Sequence, residues 1–306
     1  LAPRIAVIGS NMMDLVTYGA RMPGRGETLA ADSFAIGHGG KGANQAIAAA
    51  RLGSEVVMVT KVGDDAFADQ QIQNFRANGV STAHVGRVAG VSSGVAPIFV
   101  DHAGENAILI VKGANDHLAP ADVDAAAEAL STCRLILLQM EVPAETVYHA
   151  IAFGRARGIE VLLNPAPAAA DLDVEKIRDA DFLVSNETEL AILSGMPVSG
   201  AAEVEAAARS LIAKGIKTVI VTMGSRGALL VTAEAVRSVA PVRVDPVDTT
   251  GAGDAFIGAF AHFYAGGDSV EAALGQAARY AALSITRRGT QASYLTAEAF
   301  RAAAAD

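Results

Sequence analysis

An α/β protein with a doubly wound, mainly parallel sheet is the fold this sequence predicts, and three observations predict it. Short, continuous apolar runs recur along the chain: IAVIG (5–9), VVMVT (56–60), LILLQM (135–140), VLLN (161–164), FLVS (182–185) and TVIVTM (218–223). Ala-rich stretches of helical character separate them, as ANQAIAAARL (43–52) and DAFADQQIQNFRANG (65–79) illustrate. The runs are apolar throughout rather than alternating, which is the pattern of strands covered by helices on both faces.

In chain order, IAVIG is the first strand and the Gly-rich GHGGKGANQA (37–46) leads into the first helix. Residues 11–35 contain no convincing helix, and GVAPIFV (94–100) with AILIVK (107–112) reads as a hairpin joined by DHAGEN. Both faces of GVAPIFV are apolar, with Val95, Pro97 and Phe99 on one and Ala96, Ile98 and Val100 on the other. A small sheet outside the main core should keep one wet face, so the second apolar face needs a cover. Either a second copy of the sheet supplies it, giving a lid that also forms a homodimer, or the hairpin packs on its own domain. The expected division is a main domain of 1–10, 36–92 and 114–306, with a β lid of 11–35 and 93–113. The Ala-rich tail TAEAFRAAAAD reads as a surface helix.

Composition bounds the function. The chain has 306 residues, 51% hydrophobic and only 5% aromatic, enough for one large core or two unequal domains. Its net charge of −9 is spread without a basic block, which argues against nucleic acid or an anionic membrane surface as partner. No apolar run approaches the ~18 residues that span a membrane, and LAPRIAVIGS goes straight into a strand without a signal-peptide pattern. Cys133 is the only cysteine, so no intrachain disulfide can form and a reducing, cytoplasmic setting is expected. The six His show no metal-ligand spacing; His38, beside the Gly cluster, reads as structural.

Chemistry concentrates in a few motifs. VDTTGAGDAFIGAF (247–260) opens an apolar helix at about Ala252. There Gly251, Ala252 and Gly253 would bare unpaired N–H groups at the positive end of the helix dipole, ready for an anion. Asp254 in the first turn could then take a proton from an attacking hydroxyl while the amides hold phosphoryl charge. Taken alone, the same residues describe a capped helix whose Asp complements the dipole. GHGGKGANQA is a second Gly-rich turn opening a helix, with Lys41 and Asn44 as polar groups. Gly37, Gly39 and Gly42 match the dinucleotide pattern G-x-G-x-x-G, but they do not follow the first strand, and Lys41 stands where pyrophosphate would approach. A phosphate-binding P-loop is also absent, because Gly42 follows Lys41. Asn186 and Glu189 in SNETEL (185–190) lie on one face of a short helix, where they either serve a metal–phosphate group or form an N-cap turn. TMGSRGALLV (222–231) is strand, glycine turn, strand, with Gly224 and Gly227 either admitting a flat ligand or making a plain hairpin. Asp14 follows the first strand at the end where open α/β sheets bind ligands.

In this order the pieces resemble the ribokinase, or PfkB, family of carbohydrate kinases. GGKGANQA resembles its N-terminal signature and VDTTGAGDAFIGAF its C-terminal one, with NPAPA (164–168), NETE (186–189), TMGSRG (222–227) and TRRGTQAS (286–293) in family order. The resemblance covers essentially the whole chain. It implies a doubly wound domain with a small β lid, and transfer of the ATP γ-phosphoryl group, with Mg²⁺, to a sugar hydroxymethyl group. It makes Asp254 the catalytic base and Gly251, Ala252 and Gly253 the anion hole. Asp14, Gly40, Lys41, Asn44 and Glu141 would contact the sugar. Asn186 and Glu189 would serve the magnesium–phosphate region, and Thr222, Gly224, Ser225 and Gly227 the nucleotide. A potassium-like ion would be held near Asp248, Thr250, Ser284, Arg287, Gly289 and Ser293, largely by backbone carbonyls.

One departure bears on specificity. Bacterial ribokinases commonly carry Asn two residues before the sugar-binding Asp, where it reaches the 2-hydroxyl; Met12 stands there in this chain. A thioether cannot replace the amide, and a buried hydroxyl left without its partner costs ~1–3 kcal/mol. The resemblance therefore favours 2-deoxyribose, with ribose left open because some ribose-using members also have Met there. Fructokinase and nucleoside kinase share the signatures. A nicotinamide-dependent oxidoreductase rests on the misplaced glycines alone, and a non-catalytic sugar sensor would have no need of Asp254.

Overall fold

The computed structural model describes residues 2–303. Its main sheet is formed by β1 (Arg4–Ile8), β4 (Glu55–Val62), β5 (Val80–Arg87), β8 (Leu135–Gln139), β9 (Glu160–Asn164), β10 (Phe182–Asn186), β11 (Thr218–Thr222), β12 (Ala228–Thr232) and β13 (Val236–Val239). A second, four-stranded sheet contains β2 (Met12–Tyr18), β3 (Ser33–Gly39), β6 (Val95–Val100) and β7 (Asn106–Ile108). The main sheet runs β13-β12-β11-β10-β9-β8-β1-β4-β5, parallel from β11 through to β5, with β12 and β13 antiparallel at one edge.

The apolar runs form strands because each has a covered side to face. On β1, Ala6 and Ile8 join one core layer, with helices Ala144–Arg157 and Ala201–Ala213 packed over it. Ile5 and Val7 join the other, beneath helices Lys41–Arg51, Ala252–Ala265 and Val270–Ser284. Each fully buried aliphatic side chain contributes about 1.5–3 kcal/mol by leaving water, so the alternation locks the register of the sheet. Cys133 is buried immediately before β8, as the apolar run around it implies.

Chain order reverses at β1, which is flanked by β8 on one side and β4 on the other. Crevices at such a reversal, beyond the carboxyl ends of the strands, are where open α/β sheets bind ligands. Here the neighbouring strands end in side chains that hydrogen-bond: Gln139, Asn164, Asn186 and Thr222.

The small sheet contains the expected hairpin of β6 and β7. It also contains β3, which runs to Gly39, past the expected lid boundary at 35. Its alternation of bulky and small residues (SFAIGHG) continues into the Gly cluster, so the lid strand leads straight into the helix beginning at Lys41. The C-terminal helix spans Ala297–Ala302, and residues 304–306 of the expected tail lie outside the described residues. No helix among the described residues is long and apolar enough to cross a membrane.

Candidate active site

Asp254 sits in the first turn of helix Ala252–Ala265 and is 7% exposed. The helix opens on Gly251 at φ 75°, a left-handed conformation that favours glycine. A Cβ at Gly251 would also meet Thr290 Cγ2 at 2.3 Å. No side chain caps this helix start, and a Cβ built on Gly253 meets nothing within 4 Å. The result is an uncapped, positive helix end, the kind of place that suits an anion. The helix starts at Ala252, where the sequence put it, but the amides are not all bare, because Ala252 N–H donates to Thr249 O at 3.3 Å.

Asp254 is held from the side by the second Gly-rich helix. Asn44 Nδ2 donates to its Oδ2 at 2.9 Å, and Gln45 Nε2 donates to its Oδ1 at 3.0 Å. The two helices approach closely because Gly258 lies against Ala48: a Cβ at Gly258 would meet Ala48 Cβ at 2.6 Å. Each of these residues is one turn beyond Asp254 and Asn44 respectively, so the contact sets the spacing of the pair.

The turn before Lys41 is organised by Glu141. Its Oε2 accepts from Ser10 Oγ at 2.5 Å and from Lys41 N–H at 2.9 Å. Gly40 has φ 88°, and a Cβ there would lie 2.7 Å from Asn11 Cα, so glycine is needed for both conformation and space. Burial raises the Glu141 carboxyl above the usual range against the opposing effect of Ser10 and Lys41. Asp14, on β2, is pushed up to about 6 by burial and then by the Glu141 and Asp254 carboxylates. Burial alone would depress Lys41, but Asp254, Glu141 and Glu189 outweigh it and keep the ammonium charged. One cation thus stands among several acids, a local positive point in an acidic protein.

A cavity of about 200 Å³ is lined by Lys41, Asn186, Glu189, Thr222 and Gly251 through Asp254. It joins the start of helix Ala252–Ala265 to the ends of β10 and β11. Asn186 and Glu189 form a reciprocal capping box: Asn186 Oδ1 accepts from Glu189 N–H at 2.8 Å, and Glu189 Oε2 accepts from Asn186 N–H at 2.9 Å. The N-cap reading and the cavity position therefore hold together, and burial raises the Glu189 carboxyl. Gly224 and Ser225 lie on the turn after β11, with Gly224 open. Gly227 behaves differently from the expectation of a ligand-facing glycine, because its missing Cβ would meet Val239 O at 2.1 Å, on β13.

Beside the anion hole, Asp248 joins two loops. Its Oδ1 accepts from Thr250 N–H at 3.0 Å and its Oδ2 from Gly289 N–H at 2.9 Å. Burial opposes ionisation there, but these hydrogen bonds outweigh it and hold the carboxyl below the usual range. Ser284 and Ser293 donate their hydroxyls to Ala281 O and Thr290 O, both at 2.8 Å, which leaves oxygen lone pairs for other use. Arg287 is exposed. Among the described residues no group of three or more His, Cys, Asp or Glu is gathered as a metal cluster.

With this geometry established, comparison with known proteins is direct. The pattern of the pfkB family carbohydrate kinases matches residues 2–297. The chain belongs to that family. It is 58% identical to the deoxyribokinase of Salmonella typhi over 296 residues, covering 97% of each chain. It is 39% identical to the ribokinase of Mus musculus, over 96% of this chain and 92% of that one. Thermotoga maritima ribokinase superposes with a TM-score of 0.90 at 34% identity, with 100% of both chains covered. Arabidopsis thaliana ribokinase, solved with ribose and ATP, gives 0.89 at 30% identity, over 99% of this chain and 98% of that one.

The fold also gathers polar residues here that the motifs did not single out. Gln45 and Gln291 are buried in the amide network around Asp254, and Ser10 anchors Glu141. Gln45 directly follows Asn44 in GANQA, and Gln291 lies inside TRRGTQAS. Both were in view, but nothing in a single sequence says that a glutamine is buried.

Proposed function

We propose that this chain is an ATP-dependent pentose kinase that transfers the γ-phosphoryl group to the 5-hydroxyl of 2-deoxy-D-ribose, with D-ribose as the competing substrate. The observation that carries the reading is Asp254, buried at an open helix N-terminus on the wall of the cavity shared with Lys41. Asp254 accepts the hydroxyl proton while Gly251, Ala252 and Gly253 receive the charge of the transferring group, so catalysis is chiefly positioning and electrostatic stabilisation. Lys41 adds its cation on the same side. Asn186 and Glu189 stand where a magnesium-bound nucleotide would reach the cavity, and Thr222, Gly224 and Ser225 continue that wall toward the adenosine side.

The sugar contacts would be Asp14, Gly40, Lys41, Asn44 and Glu141. Met12 and Asp14 are two residues apart on β2, and so share one face of the strand. Asn11 does not supply the missing donor, since its Nδ2 gives its hydrogens to Thr60 Oγ1 at 2.8 Å and Lys61 O at 2.7 Å. A 2-hydroxyl at this place would meet a thioether; a 2-deoxy carbon would meet apolar surface.

The oxygen-only donors around Asp248, Thr250, Ser284, Gly289 and Ser293 fit a potassium-like ion, which would steady the anion hole from behind. The small sheet acts as lid and dimer contact. In its outer face Leu15 is paired with Ile36 and Pro97, and Thr17 with Phe34 and Phe99. Phe34 is 58% exposed and Ile36 52%, while a groove of about 470 Å³ crosses the same face. A second copy of the face is the cover that fits.

The test is ADP release on 2-deoxyribose, ribose, fructose and adenosine with Mg²⁺, in potassium and in sodium buffers. Turnover confined to the two pentoses, fastest on 2-deoxyribose and in potassium, supports the proposal. Preference for fructose or adenosine would refute it.

A further inference from the structure

A file of amide side chains runs from the surface to Asp254. Arg51 Nε donates to Asn78 Oδ1 at 2.8 Å, and Asn78 Nδ2 donates to Asn74 Oδ1 at 3.1 Å. Asn74 Nδ2 donates to Gln291 Oε1 at 2.8 Å, Gln291 Nε2 to Asn44 Oδ1 at 2.8 Å, and Asn44 Nδ2 to Asp254 Oδ2 at 2.9 Å. A guanidinium can only donate and a carboxylate can only accept. The two ends therefore fix which way every amide between them points. Arg51 also donates through Nη1 to Gln291 O at 2.6 Å and Tyr294 O at 2.8 Å, holding the backbone of the same loop.

We infer that Gln291 is a positioning residue that sets the direction of proton transfer by holding Asn44 in one orientation. With its carbonyl accepting from Gln291 and one N–H given to Asp254, Asn44 keeps one N–H to donate to a sugar hydroxyl. A hydroxyl that reaches Asn44 must accept from it, which leaves the hydroxyl's own proton for Asp254. If Asn44 turned over, its carbonyl would compete with Asp254 for that proton. The loop of Gln291 also carries Gly289 and Ser293, so the proposed cation region and the file that ends at the proposed base share one loop. This inference rests on Asp254 being the base.

Gln291→Glu keeps size and the acceptor for Asn74 but removes the donor to Asn44; Gln291→Leu removes both. Both variants, and Asp254→Asn, are compared with the native enzyme by ADP release, by KM for sugar and for ATP, and by melting temperature. Both Gln291 substitutions are repeated in an Asn44→Ala background. Loss of a hydrogen bond to a charged or reacting group corresponds to about a ten- to hundredfold effect. The expected result is a kcat loss of that size for Gln291→Glu, with an unchanged ATP KM, a near-native melting temperature and no further loss once Asn44 is Ala. Native kcat in Gln291→Glu, or an equal loss in the Asn44→Ala background, overturns the inference while Asp254→Asn stays inactive. Native turnover by Asp254→Asn overturns the underlying assignment of the base instead.

Discussion

Asn44 and Asp254 are 210 residues apart in sequence, yet Asn44 Nδ2 donates to Asp254 Oδ2 at 2.9 Å. With Gln45 on the other oxygen, the carboxylate is oriented before any sugar arrives. Asp254→Asn places an amide against two amide donors and removes the proton acceptor. Turnover should fall by about 10²- to 10⁴-fold, measured as ADP release at saturating sugar.

Contact between Gly258 and Ala48 holds those two helices at their crossing. Gly258→Ala forces them apart by the width of a methyl group. Overpacking of this kind costs about 1–3 kcal/mol, so the melting temperature should drop and kcat should fall with it. Loss of stability with full kcat would show that the spacing of Asn44 and Asp254 is not catalytically important.

Met12→Asn restores an amide on the Asp14 face of β2. At ~1–3 kcal/mol for a partnered hydroxyl, kcat/KM on ribose relative to 2-deoxyribose should rise by about tenfold. An unchanged ratio removes Met12 from the specificity argument.

Asp14 titrates near pH 6 because burial and its acidic neighbours hold on to its proton. A folded carboxyl with a raised pKa binds its proton more tightly than the unfolded chain does. Its contribution to stability is therefore full below about pH 4 and is lost as pH rises through about 6, by on the order of 2–3 kcal/mol. Asp14→Asn should melt higher than the native protein at pH 8 and not at pH 4. With Asp14 contacting the sugar as proposed, its charged form would be the better acceptor of hydrogen bonds from sugar hydroxyls, so the native sugar KM should rise as pH falls below about 6.

Phe34 and Ile36 are exposed on the outer face of the small sheet, the proposed dimer contact. Replacing both with Glu places charges opposite charges in a symmetric contact. Sedimentation should show a native dimer and a monomeric double variant; a native monomer would return the hairpin to a purely intramolecular role.

Much of this fold could be read because its strands are apolar on both faces, as the near-total burial of LILLQ in β8 illustrates. The start of the helix bearing Asp254 could be read because Gly251 stands immediately before an apolar run. What stayed hidden depends on partners distant in sequence. Gln45 and Gln291 are ordinary polar residues until the fold buries one against Asp254 and the other against Asn44. Gly227 looked like a ligand contact, but its space is taken by Val239, which no local pattern announces. The lid boundary was misplaced because SFAIGHG carries glycines typical of a turn while still pairing with β2 as far as Gly39.

Gly40 alone separates the last residue of β3 from the first residue of the helix bearing Lys41. A swing of the small sheet has only that one peptide pivot between itself and the ammonium group. If the small sheet is the roof proposed above, its hinge would adjoin the residue whose charge the reaction needs, and lifting it would tug on the Lys41 N–H that Glu141 holds.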